Sequence, residues 1–271
     1  MPTPSHAASS KDSAARVDVF DHILVEIDET PESLVAAAQA KCLCAPGCHL
    51  ELLAVVETAA AAQAGAAARF AASGLTEATA MALEHAQRLL EPSSVRFVSG
   101  HARATLLSEA RSVGATLVAV GMHPHRRLTA RVFGTLDAAV LRDAPCSVLV
   151  ARPGWGASKP KRIVVGVDGS PESERAALAA AALASRLGVE LLPVIALGGK
   201  PVDEGAFGRE HADALLDPRG PVAALTAAAG ECDLLVVGNR GLHGRRALGS
   251  IGERVVYAAR SSTLVVRGAA A

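Results

Sequence analysis

Apolar, β-branched runs alternate with alanine-rich stretches along most of the chain, the pattern of βαβ units laid on a parallel sheet. In the first half the runs predict strands over His22–Ile27, Leu50–Val56, Val95–Ser99, Leu117–Val120 and Ser147–Ala151. Helices are predicted between them, over about Pro31–Cys42, Thr76–Leu90, Ala104–Val113 and Thr135–Leu141. Pro31 and Pro171 fall where a first helical residue belongs, behind Thr30 and Ser170 as N-caps, because a missing N–H is harmless in the first turn. Gly114 and Gly230 follow the third helices and are read as left-handed terminators.

The pattern is stated twice. Ile23 to Ser33 recurs as Ile163 to Ser173, displaced by 140 positions, so that Asp28, Pro31 and Ser33 match Asp168, Pro171 and Ser173. The displacement is 139 at Leu52 against Leu191, 117 at Leu117 against Leu234, and 115 at Gly134 against Gly249. Repeats of this kind mark two copies of one domain. The second copy has lost roughly twenty residues between Ile195 and Leu234, and two more from its glycine-rich loop. The stretch from Ile195 to Pro221 has room for a loop and a short strand near Ala212–Leu216, but not for a second helix.

A length of 271 residues suits two domains. Residues 1–16, rich in Ala, Ser and Pro, are read as a disordered tail, 17–152 as the first domain, 153–160 as a linker and 161–268 as the second domain. The linker is flexible in composition and expected to be exposed. The fold class is α/β, with two tandem open parallel sheets.

Composition narrows the function. Half the residues are hydrophobic and 3% aromatic, so the core is built from Ala, Val, Leu and Ile. Lys plus Arg and Asp plus Glu are both 27, a net charge of +0, which gives no global attraction to nucleic acid or acidic lipid. No signal-type apolar segment and no membrane-length apolar run is found, so neither a membrane nor export is expected and the location is read as cytoplasmic. Five cysteines make no disulfide framework. Cys42, Cys44, Cys48 and His49 could hold a metal or, as a loosened attachment motif, haem; the competing reading is that buried cysteine packs as a small hydrophobe.

The informative constellation follows the fourth strand. In the second copy Gly238, Gly241, Gly249 and Ser250 would let backbone N–H groups approach phosphate oxygens, with a helix N-terminus opening at Ser250. Arg240, Arg245 and Arg246 add charge there. Asp168 ends the first strand and faces the same crevice, where ligands of open α/β sheets bind. Each element also has a reading without a ligand: Ser250 with Glu253 makes a capping box, glycine makes turns, and Asp168 can cap a helix.

These residues resemble the universal stress protein family from Asp21 to Arg267: an Asp after the first strand, then a loop of Gly, two residues, Gly, nine residues and Gly-Ser. The resemblance implies a five-stranded Rossmann-like sheet of order 3-2-1-4-5. It implies an ATP or other adenine-nucleotide site, with Mg2+ accompanying ATP. Asp168 would lie near the ribose, Val194 near the adenine, and Gly238, Gly241, Gly249 and Ser250 around the phosphates. The first-copy equivalents are Asp28, Val55, Gly121, Gly134 and Thr135. The second copy shortens the loop to seven residues between Gly241 and Gly249. The first copy has Pro124, which offers no N–H, and sets Glu26 and Glu29 beside Asp28, so that three carboxylates would repel a triphosphate unless His123, His125, Arg126, Arg127 and Arg131 offset them. The second copy is therefore ranked above the first as a nucleotide site.

Three functions compete: a nucleotide-binding regulatory or sensing module without turnover, a stress-response interaction protein with empty crevices, and an adenylating enzyme. The enzyme ranks last, because no pyrophosphate loop stands near the first strand and His123 and His125 lie elsewhere. The last strands, Ser147–Ala151 and Thr263–Arg267, are expected to pair, because a bare apolar edge aggregates and the linker holds the second copy close. The result would be an intrachain pseudo-dimer, with any further homodimer left to other surfaces.

Overall fold

The structure, a computed structural model, describes residues 20–56, 66–122, 140–155, 158–198, 211, 213–239 and 251–268. In the first copy, strands β1 (His22–Ile27), β2 (His49–Val56), β3 (Ser94–Ser99), β4 (Leu117–Gly121) and β5 (Ser147–Ala151) alternate with helices α1 (Pro31–Leu43), α2 (Ala66–Leu90) and α3 (Ala102–Ser112). In the second, β6 (Arg162–Val167), β7 (Glu190–Ala196), β8 (Leu215–Asp217), β9 (Leu234–Gly238) and β10 (Ser262–Val266) alternate with α4 (Pro171–Leu187), α5 (Pro221–Ala228) and α6 (Ile251–Ala258). These strands form a single sheet of order β3-β2-β1-β4-β5-β10-β9-β6-β7-β8. Each copy contributes five parallel strands in the order 3-2-1-4-5, and β5 meets β10 antiparallel.

The central strands are apolar on both faces because helices cover both faces. Ile23, Val25, Leu52 and Ala119 pack with Ile163, Val165 and Leu234 in one core, beneath α1, α2 and α4. Leu24, Leu53, Val118, Val164, Leu235 and Val237 form the other, beneath α3, α5 and α6. Each core runs through both copies.

The junction explains why. Leu149 pairs with Leu264, while Val150 pairs with Thr263 and Val148 with Val265. With the local displacement of 115, Leu149 faces its own repeat equivalent, so a two-fold axis normal to the sheet passes through that pair. Side chains across the junction obey the same axis. Arg152 donates to Val256 O at 2.6 Å and Ser261 O at 3.4 Å. Its equivalent Arg267 donates to Ala144 O at 2.9 Å and to Leu141 O. Each arginine closes a last strand and satisfies carbonyls near the last helix of the other copy. Ser262 Oγ accepts from Arg152 N at 2.9 Å, and Ser147 Oγ from Arg267 N at 3.2 Å. Gln39 breaks the symmetry, donating to Arg152 O at 2.9 Å and accepting from Ser262 Oγ at 2.7 Å, since Ala179 holds its place in the second copy. Arg186 adds a second tie, donating to Leu43 O at 2.8 Å and Cys44 O at 2.5 Å at the end of α1.

Several expectations change. Gly114 is left-handed at φ 63°, but Gly230 is not among the positive-φ residues; its N–H bonds Ala227 O at 2.9 Å in a tight right-handed last turn. The α2 helix begins ten residues before Thr76 and runs through Gly74. A helical glycine costs only about 1 kcal/mol, which docking of Leu83 and Ala86 into the core offsets. The linker is exposed at Pro153, Gly154, Ser158 and Lys159, as expected, but it is anchored at Trp155, which is 5% accessible and belongs to the shared core. A large aromatic gains more by burial than the short linker loses in freedom. Tail residues 1–16 and most of the stretch where the second copy was read as lacking a helix lie outside the described residues.

Candidate functional site

The carboxyl ends of β6, β7 and β9 open onto a cavity of about 280 Å3 among the described residues. Gly166 and Val194 lie at its base, Pro221 and Leu225 of α5 form one wall, and Val237, Gly238, Asn239, Ile251 and Gly252 form another. Asp168, Ser170 and Glu172 stand at its rim. The base exists because Gly166 has no side chain: a Cβ there would come within 2.9 Å of Leu225 Cδ2. The N-terminal residues of α6, Ile251 and Gly252, face the cavity, which sets the positive end of a helix dipole beside it. No lysine or arginine is among these lining residues; Arg240, Arg245 and Arg246 lie outside the described residues.

Asp168 serves the backbone as well as the rim. Its Oδ1 accepts from Ser170 N at 3.0 Å and from Ser170 Oγ at 2.5 Å. Ser170 Oγ in turn accepts from Ser173 N at 3.2 Å, capping α4. Asp28 repeats the first step, accepting from Thr30 N at 3.0 Å and from the Thr30 hydroxyl, but Thr30 then makes no side-chain cap on α1. The helix-capping and crevice readings of Asp168 are therefore compatible.

Gly238 and Gly121 have a packing reason independent of any phosphate. A Cβ at Gly121 would lie 2.5 Å from the carbonyl carbon and oxygen of Glu32, and one at Gly238 would strike the Glu172 carbonyl. The first turn of each leading helix crosses so close to the fourth strand that only glycine fits.

In the first copy Glu26 occupies the position of Gly166 and is 8% accessible, so a buried carboxylate-bearing side chain replaces the cavity base. The expectation of three carboxylates around this crevice is corrected: Glu29 reaches Thr79 Oγ1 on α2 at 3.5 Å, on the opposite face of the sheet. Val55 packs on the core beneath α3 and Val194 on that beneath α5, but the expected equivalence of the two is corrected. Val194 stands beside Gly166 and Leu53 beside Glu26, so the register places Leu53, not Val55, at the position of Val194 and moves the displacement on this strand from 139 to 141. Gly134, Thr135, Pro124, Gly241, Gly249 and Ser250, with the histidines and arginines of the first loop, lie outside the described residues. Sequence reasoning missed Leu225, Pro221 and Asn239; the first two sit on a helix whose apolar pattern reads as core, and only the Gly166-for-Glu26 exchange marked the cavity base.

The cysteines separate from the histidine beside them. Cys42, Cys44 and Cys48 are free and pack against the core beneath α1, while His49 stands on the α3 face of β2. Burial, with a hydrogen bond to Cys48, pushes the Cys44 thiol up to about 12. Burial likewise raises Cys146 to about 12.

The universal stress protein family model matches residues 20–152, 159–206 and 202–267. Among solved structures, a universal stress protein from Archaeoglobus fulgidus shares 16% identity with a TM-score of 0.69, covering 93% of this chain and 99% of its own. A protein from Pseudomonas aeruginosa described as a universal stress protein shares 20% identity with a TM-score of 0.65, covering 92% of this chain and 94% of its own. A half-length universal stress protein solved in complex with cAMP is 34% identical over 41% of this chain and 98% of its own, with a TM-score of 0.36. Among curated proteins no sequence matches at a significant level. No helix among the described residues is long and apolar enough to cross a membrane. The two long neighbours share the tandem fold, the family model reaches into both copies, and the chain belongs to the universal stress protein family.

Proposed function

We propose that the second copy binds an adenine nucleotide in the cavity beside Asp168 and that the chain acts as a stress-response regulatory or sensing module without turnover. The observation that carries this reading is the convergence of Asp168, Val194 and Gly238 on one cavity, open at the carboxyl ends of β6 and β9. The apolar base suits a purine, the carboxylate at the rim suits ribose hydroxyls, and the α6 N-terminus suits an anion. A cavity of about 280 Å3 suits the nucleoside end of ATP, which leaves the phosphates, with Mg2+, to the glycine-rich sequence from Arg240 to Ser250, outside the described residues. The first copy, with Glu26 at its base, serves as the tethered structural partner.

The test is mass spectrometry of small molecules released from the purified chain, followed by calorimetry with ATP, AMP and cyclic AMP. Gly166→Glu copies the first-copy residue into the cavity and is expected to lower affinity at least about 100-fold, since the side chain fills the base and adds a buried carboxylate. Unchanged affinity in this variant, or two equivalent sites per chain, defeats the proposal.

A further inference from the structure

At the amino-terminal ends of β1 and β2, away from the first-copy crevice, stand His22, His49 and Glu51. His22 and His49 are register partners across the two strands, and their rings meet edge to face with centroids 4.7 Å apart. Glu51 follows on the same face of β2, with its side chain 4% accessible. His22 Nε2 lies 3.4 Å from Glu51 Oε2, and the donor atoms of all three residues lie within 4.8 Å of one another.

We propose that His22, His49 and Glu51 bind a divalent transition-metal ion, with zinc as the fitting probe. Ligand atoms of a tetrahedral zinc lie about 3.3–3.4 Å apart, given bonds of about 2.0–2.1 Å, and the His22–Glu51 spacing already matches that edge. All the donor atoms lie within 4.8 Å of one another, so a small side-chain adjustment of His49, exposed at the first residue of its strand, completes the set. Water fills the fourth position from the open side. The donor set of two imidazoles and one carboxylate is of borderline softness, suited to zinc rather than to magnesium or calcium.

Two further observations favour a cation. Glu51 Oε1 is buried and accepts no hydrogen bond. Arg96 approaches it only to 3.5 Å, because its Nη1 sits 2.5 Å from Glu109 Oε2. One guanidinium thus faces two carboxylates, which leaves one negative charge in excess beside a buried Glu51 oxygen that accepts no hydrogen bond. A dication offsets it. The surrounding contacts orient the ligands, as outer partners of metal sites do: Ser94 Oγ holds His49 Nε2 at 3.0 Å, and Arg96 flanks Glu51.

The second copy lacks the set. Arg162 and Glu190 occupy the register positions of His22 and His49 and form an ion pair at 2.9 Å, and Leu192 replaces Glu51. The stoichiometry is therefore one ion per chain, at a site that fastens β1 to β2 and does not depend on nucleotide.

Zinc titration of the full, nucleotide-free chain by calorimetry tests the proposal. Wild type should bind one ion and gain thermal stability with zinc. His49→Ala, which truncates an exposed side chain, should weaken binding more than about 100-fold, and Ser94→Ala about 10-fold, the scale of an outer-partner loss. Melting without metal shows that His49→Ala is folded. Glu51→Gln should also lose the ion, and replacement of Cys42, Cys44 and Cys48 by serine should leave it bound. The assignment is overturned if wild type binds no zinc, if His49→Ala binds it as tightly as wild type, or if binding follows the cysteines.

Discussion

Replacing Gly238 by alanine separates a glycine kept for packing from one kept for a ligand. The added methyl would strike the Glu172 carbonyl oxygen and lie 2.5 Å from its carbon and 2.9 Å from Ser173 N. Ordinary carbon contacts are about 3.5–4.0 Å, so the first turn of α4 must retreat by about 1 Å. That turn is held by the Ser170 cap at 3.2 Å, by Ser173 Oγ donating to Ser170 O at 2.9 Å, and by Asp168 N donating to Ser173 Oγ at 3.2 Å. Weakening two or three hydrogen bonds of about 1 kcal/mol each, less about 0.5 kcal/mol from the stiffer unfolded chain, leaves a net loss of about 2 kcal/mol. Urea unfolding of the full chain without nucleotide measures it. Gly121→Ala, which meets Glu32 backbone at 2.5 Å, should cost a similar amount. Gly166→Ala is the contrast: its methyl meets only the Leu225 methyl groups at 2.9 and 3.0 Å, which can turn aside, so its effect should stay within about 0.5 kcal/mol. If Gly238→Ala costs no more than Gly166→Ala, the close approach of α4 to β9 is not what requires glycine.

Arg152→Met should destabilise the chain by about 2–4 kcal/mol, because the carbonyls of Val256 and Ser261 lose a charged donor in a buried setting; an unchanged urea midpoint would deny the junction arginines this role. Alkaline pH should weaken the fold through the thiols. Cys44 and Cys146 are raised from near 9 to about 12, so the contribution is complete below pH 9 and is lost as pH rises toward 12 and the unfolded chain ionises first. The fall in urea midpoint between pH 8 and pH 11 should be smaller in Cys146→Ala, and equal falls would contradict the burial argument.

Much of the architecture was legible because it depends on period and repetition. The strands His22–Ile27 and Ser147–Ala151 match their predicted bounds, since apolar runs flanked by Pro, Gly and polar residues leave little choice of register. The pairing of β5 with β10 followed from the strand order that the family resemblance implied, which makes the fifth strand an edge, and from the need to cover an apolar edge. What could not be read depends on contacts distant in sequence. Nothing local to Arg152 or Arg267 says that each will serve carbonyls more than a hundred residues away, and nothing around Trp155 distinguishes a loose linker from an anchored one. Gly230 was misplaced because glycine permits a left-handed turn without requiring it.

The candidate sites divide along the same line. Asp168 and Gly238 were legible as crevice residues because strands of an open parallel sheet deliver their carboxyl ends to one place whatever the side chains are, and Val194 was implied by the family resemblance. The cluster of His22, His49 and Glu51 was not, because it depends on which residue of β2 stands beside which residue of β1 and on which face both point. His49 was read with its sequence neighbours Cys44 and Cys48, yet strand alternation turns it to the other face of the sheet, and its partner came from β1. Duplication then left the copies free to diverge. Glu26 closes the base that Gly166 leaves open, and Leu192 with the Arg162–Glu190 pair stands where Glu51 and the two histidines gather in the first copy. With the continuous cores and the two-fold junction carrying stability for both halves, each copy could change the residues at the cavity base and at the histidine cluster without losing its fold.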